Sequence, residues 1–344
     1  MGSHNSPAAR FGAQPEEVTL ARVGAALTGL GFDVIEAGDR LVVPTYAFIA
    51  TAWISYDRPL MLAIDFTERI PIEFERSHEL ARFINRWNLE KVGPTASYRL
   101  MDSGDFQVSM RLGVHAKCGL TDEQIMAEAM DAFQHAAAFS TQLREGFLPI
   151  EFDQPLPPAL ARAQDTEALL GRHPSERHLP RGGHADAACA PDAFEAQADD
   201  PCEPIDLGSV GDTLDMLDFS YPPPDQGAIT TSVNGIPYAF YVDAETYVRV
   251  AAMWETGCSF DVGFLPLWLA CNDINEQFVG LRAYVLEDAG DLDLHVETTC
   301  IITEGLGAAQ RHNFIISSLV STLGAVDALS TDVRGTTAVQ WPRH

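Results

Sequence analysis

The sequence predicts an α+β chain made of two related domains in tandem, each an antiparallel sheet packed by helices. Three observations carry this. The stretch YRLMDSGDFQVSM beginning at Tyr98 returns as YVLEDAGDLDLHV from Tyr284, an offset of 284 − 98 = 186. Apolar residues alternate at Phe106, Val108, Met110 and Leu112, the period of a half-buried strand. Flanking segments instead repeat apolar residues at helical spacing, as at Leu80, Phe83, Ile84 and Trp87.

The offset holds without a gap from Tyr98/Tyr284 to Leu120/Leu306. Of those 23 positions seven are identical: Tyr98, Leu100, Asp102, Gly104, Asp105, Gly119 and Leu120. Upstream, Asn85 and Asn88 match Asn272 and Asn275 once a one-residue slip is placed near Val92-Gly93. Solenoid units run about 20–50 residues, so this period is domain length. A chain of 344 residues has room for two such domains. We divide it into a tag and disordered tail (1–12), a first domain (13–150), a flexible linker (151–204) and a second domain (205–334).

In the first domain, PEEVTLARVGAALTGLGF predicts a helix with Val18, Ala21, Ala25 and Leu27 inward and glycines at its end. Two short strands follow, joined at Gly38-Asp39, and then two apolar strands, IATAWISY and LMLAIDFT. Ser77 to Asn88 is the middle helix. The opening phrase is a hairpin whose Gly104 supplies a positive φ. A final helix from Thr121 places Met126, Met130, Phe133 and Ala137 on one face.

The second domain follows suit. Asp212 to Phe219 forms a short helix, and Ile229–Val233 and Ile236–Val242 flank the Asn234-Gly235 turn. Tyr247–Trp254 is a strand, Pro266–Asn275 the middle helix, and a closing helix spans about 308–329. The linker is rich in Ala, Pro, Asp and His and poor in aromatics, with one helix near Ala159–Leu170. A flexible coil of that length spans on the order of 40 Å.

Bulk properties narrow the function classes. The formal charge is −27, from 22 Lys+Arg against 49 Asp+Glu, which opposes nucleic acid and anionic membrane as partners. No run of about 18 apolar residues lacks charges, so no membrane span is expected. Six cysteines without any CxxC pair, and no export signal, read as free thiols in the cytoplasm.

Candidate sites are few. The twin Asp-x-Gly-Asp turns, Asp102/Asp105 and their copies, lack the ligand run of a calcium loop and read as tight turns. His173, His178, His184, Cys189 and Cys202 are spaced wrongly for zinc. His115 and Cys118 have no visible orienting group for nucleophilic chemistry. Asn85, Asn88, Asn272 and Asn275 are the candidate binding residues; the alternative is that they stop the helix by bonding into the following loop. Phosphate-loop, dinucleotide, serine-hydrolase and His-Glu-x-x-His motifs are absent. No catalytic residue, metal or cofactor is assigned.

At FINRWNLE, followed by the Tyr-x-Leu-x-Asp-x-Gly-Asp hairpin and a capped closing helix, the chain resembles the YbjN family of bacteria. The likeness covers about 30–147 well and 225–330 weakly; CNDINEQF in the second copy lacks the tryptophan. The resemblance implies a fold like type III secretion chaperones, ordered α-βββ-α-ββ-α, and a regulatory role in signal transduction without enzyme activity. Two expectations compete. One is a non-catalytic module for a protein or peptide partner, its two repeats forming an intramolecular pseudo-dimer. The other is a hydrolase or metal-dependent enzyme using Asp102, Asp105 or His115 between the repeats.

Overall fold

The computed structural model describes residues 11–56, 59–148, 193–195, 199–225, 227–288 and 290–342. The first half runs α1 (Leu20–Gly29), β1 (Ile35–Ala37), β2 (Arg40–Pro44), β3 (Phe48–Ser55), β4 (Met61–Glu68), α2 (Ser77–Glu90), β5 (Thr95–Leu100), β6 (Phe106–His115) and α3 (Asp122–Phe147). The second runs α4 (Leu207–Met216), β7 (Ala228–Val233), β8 (Ile236–Asp243), β9 (Tyr247–Ser259), α5 (Phe260–Gln277), β10 (Arg282–Asp288), β11 (Asp291–Ile301) and α6 (Ala308–Arg334). Both sheets are antiparallel, in the orders β1-β2-β3-β4-β6-β5 and β7-β8-β9-β11-β10. Without the short β1 the two orders coincide, so this is an α+β chain with two like sheets packed by helices.

Local chemistry explains the element ends. Thr121 caps α3 by accepting the Gln124 N–H, while Gln124 Oε1 accepts the Thr121 N–H; Asp206 and Ser209 do the same for α4. That cap starts α4 at Leu207, ahead of the expected Asp212. Gly104 and Gly290 both take φ +93° in the matching hairpins. The closing helix α6, 27 residues long, is apolar enough to cross a membrane by length and composition. Here Phe314, Ile315, Leu323, Val326 and Leu329 bury one side of it in the core.

Several expectations change. In α1 the inward residues are Val23, Ala26 and Leu27, while Ala21 and Ala25 face out. In α3 the buried side is Ile125, Ala129, Ala132, Phe133 and Ala136; Met126, Met130 and Ala137 are exposed. Small alanines let this helix lie close on the sheet, which turns the larger methionines outward.

The slip between the copies also moves. Asn88 bonds Ala96 and Asn275 bonds Ala283, the same eight-residue step, which makes Tyr98 the counterpart of Val285 and not of Tyr284. Pairing agrees, since Tyr98 lies opposite Val108 and Val285 opposite Leu294. The slip therefore falls in the hairpin turn.

The boundaries at the linker and tail shift as well. Cys202 pairs with Gly12 and Ala13, Glu203 bridges Leu306, and the Asp200 carboxylate accepts the Ala308 and Ala309 N–H groups at the start of α6. Residues 199–204 and 11–12 thus belong to the folded body. The expected helix at 159–170, with His173, His178, His184 and Cys189, lies outside the described residues.

Candidate functional site: a sealed seam and an open groove

β5 and β10 are edge strands, and an edge strand leaves alternate N–H and C=O groups unpaired. The four asparagines fill those positions. Asn88 accepts the Ala96 N–H and donates to its carbonyl, both at 2.9 Å. Asn272, from the other half, does the same two residues on, accepting from Tyr98 N–H at 2.9 Å and donating to Tyr98 O at 2.8 Å. On β10 the roles reverse: Asn275 closes Ala283, and Asn85 reaches across to Val285 at 2.8 and 2.9 Å. All four side chains are buried. Their carboxamides are engaged by this chain's own backbone, two within a half and two between halves.

Other contacts across the seam are equally reciprocal. Gln124 and Gln310, which are 310 − 124 = 186 apart, donate to each other at 3.2 and 3.0 Å. Each also donates to the loop glycine of the opposite half, Gly305 and Gly119. Arg111 donates to the Glu276 carbonyl at the end of α5, and Arg282 to the Lys91 carbonyl at the end of α2. A cation there meets the negative end of a helix. Gly113 and Gly280 touch through backbone: a Cβ on Gly113 would lie 2.5 Å from Gly280 N.

The seam is not chemically symmetric. On one side, Glu128 of α3 is buried, and its carboxylate accepts the Ile301 N–H at 3.3 Å. Burial, aided by Asp131, pushes its pKa up to about 8. Asp131 accepts the Tyr247 hydroxyl at 2.7 Å and lies 3.2 Å from His135. The counterpart side, 186 residues on from Glu128, is Phe314, with the His115 ring edge-on at 5.4 Å. Burial pushes the His115 pKa down to about 4, and its Nδ1 has no hydrogen-bond partner among the described residues.

The Asp102, Asp105 and His115 constellation does not assemble. The two aspartates sit on the β5–β6 turn, where Ser103 binds Asp105, and His115 ends β6 about 30 Å away at strand rise. Cys118 is buried and donates to the Ala309 carbonyl at 3.5 Å.

A large concavity lies outside the seam. A groove of about 1020 Å³ opens in the first half, lined by Leu30, Phe32, Tyr46, Phe48, Met130 and Phe133. α3 forms one wall and the β2–β3 turn the other. Arg144 bridges them, donating to Ser140 Oγ at 3.2 Å and to Ala47 O at 3.0 Å, with its guanidinium 5.4 Å from the Tyr46 ring centre. Behind it, Glu68 is buried 3.5 Å from Arg144, and burial raises its pKa. Met130 and Tyr46, 46% and 48% exposed, present apolar surface to solvent. Of the residues that the sequence places on one face of this helix, Met130, Phe133 and Ala137 line this wall.

No family model matches the chain, and no curated protein does. Among solved structures, the crystal structure of YbjN from E. coli is similar at 17% identity. The match covers 39% of this chain and 97% of that one, with a TM-score of 0.34.

Proposed function

We propose that the protein is a non-catalytic interaction module, regulatory or chaperone-like, acting in the cytoplasm as a covalent pseudo-dimer of two type III secretion chaperone-like units. The observation that carries this reading is the placement of polar and apolar surface. The groove is wide, apolar and open, the character of a binding surface. The ionisable cluster at Glu128 adjoins a void of only about 10 Å³, too small for a substrate. The reciprocal seam supports the pseudo-dimer, and the described cysteines, all free, support a reducing compartment.

Site-specific photo-crosslinking in cells tests the reading. A crosslinker at Met130 should give discrete polypeptide adducts, and one at Val320, on the exposed side of α6, should not. Equal or absent labelling at both positions would remove it.

A further inference from the structure

The second half holds the same groove, and there it is filled. Its walls are the β7–β8 turn at Asn234-Gly235 and the end of α6. The segment after α6 returns between them. Ala338 N–H donates to Ser330 Oγ at 2.9 Å, and Gln340 N–H donates to the Asn234 carbonyl at 2.7 Å. Val339 is buried in the core at 4% exposure, and Trp341 lies half exposed at the mouth. Gln340 packs so tightly that a Cβ on Gly235 would meet its Cδ at 2.7 Å. The chain thus carries a worked example of what this cleft accepts: a short segment bent at its aliphatic anchor, where Trp341 N–H turns back to the Val339 carbonyl at 3.1 Å, with the aromatic two residues after that anchor.

In the first half the same walls stand apart, with Tyr46 and Met130 half exposed. One difference sets the ligand's chemistry. Ser330 accepts a peptide N–H, whereas its counterpart 330 − 186 = 144 is Arg144, which can only donate. Arg144 already donates to Ser140 and Ala47, so an occupant that offers an acceptor oxygen, a carbonyl or carboxylate, beside its aliphatic anchor meets the remaining donors of the guanidinium. Resting on the interaction-module reading above, we propose that this groove docks a short partner peptide of the pattern acidic–aliphatic–x–aromatic, in the manner of the 338–341 tail.

The test uses the full chain and two fluorescent peptides, GTTAVQWP (residues 335–342) and its acidic derivative GTTDVQWP, read by anisotropy. Both should bind saturably, the acidic one several-fold more tightly. Ala137→Arg, at an exposed position on the groove wall, should weaken both at least tenfold; Val320→Arg, also exposed, on α6, should change neither. Arg144→Gln should erase the preference for the acidic peptide. Absence of saturable binding, as when the chain's own residues beyond Leu148 close the groove, overturns the proposal. So does binding indifferent to Ala137→Arg, or saturable uptake of a fluorescent fatty acid with no peptide binding. Cellular crosslinked partners that survive Ala137→Arg would remove this groove while leaving the module reading intact.

Discussion

Asn85 of α2 closes the outer edge of Val285 in the opposite sheet, accepting its N–H and donating to its carbonyl, while Asn272 of α5 does the same for Tyr98. Each half therefore finishes the other's open strand. A buried strand edge deprived of such a partner costs about 1–3 kcal/mol for each group left unpaired.

Asn85→Asp keeps the acceptor but removes the donor, and places a carboxylate against the Val285 carbonyl. It should lower unfolding free energy by about 2 kcal/mol or more, with Asn85→Ala similar. Urea denaturation checks this. Asn272→Ala should do the same through Tyr98.

Gln124 and Gln310 share hydrogen bonds, so their truncations should not add. Single alanine variants each leave a partner carboxamide and a glycine carbonyl unmet. The double-mutant cycle should return a coupling of about 0.5–3 kcal/mol. A coupling near zero would separate the two residues energetically.

Gly113→Ala forces a methyl into the Gly280 backbone and should destabilise by about 1–3 kcal/mol. At Gly146, near the end of α3, a Cβ would have no atom of a neighbouring residue within 4 Å. Gly146→Ala should instead stabilise by up to about 1 kcal/mol, the usual helix gain. Opposite signs in thermal melts distinguish seam contact from backbone freedom.

Glu128 makes stability depend on pH. Its pKa rises from 4.5 to about 8 on folding, so the folded state prefers it protonated. That contribution is full below about pH 4.5 and is lost as pH rises through about 8. Glu128→Gln keeps an acceptor for the Ile301 N–H and cannot ionise. Its stability between pH 5 and pH 8 should fall less than that of the parent chain. His115 acts in the other direction: its pKa is held low, so its contribution is present above about 6.5 and lost as pH falls through about 4.

Much of this was legible in the sequence, and the failures have physical causes. The hairpins, the Asn234-Gly235 turn and the local bonds of Asn88 and Asn275 follow from short-range chemistry; the reach of Asn85 and Asn272 into the opposite half does not. Nor does the register of β10. Arg282 through Val285 are buried in succession, so alternation carries no phase, and a one-residue slip preserved an apparent tyrosine match. The buried face of α3 is not legible in the sequence because periodicity weights large residues, whereas a helix lying close on a sheet needs small ones. The fixed stretch at 199–204 escaped notice because composition cannot reveal that Asp200 caps a helix of the second half. The groove shows only when a core-like stripe is found facing solvent.

The crossed asparagines also make the polypeptide's continuity matter. Expressed separately, a fragment ending after α3 would carry a raw β5 edge and a carboxamide with nothing to grip, and its sibling the mirror set of defects. Mixed together, the two pieces have the complementary groups to rebuild a heterodimer; kept apart, each has a template for self-association. The tether between them thus fixes stoichiometry at one to one, and protects both sheets from pairing with strangers.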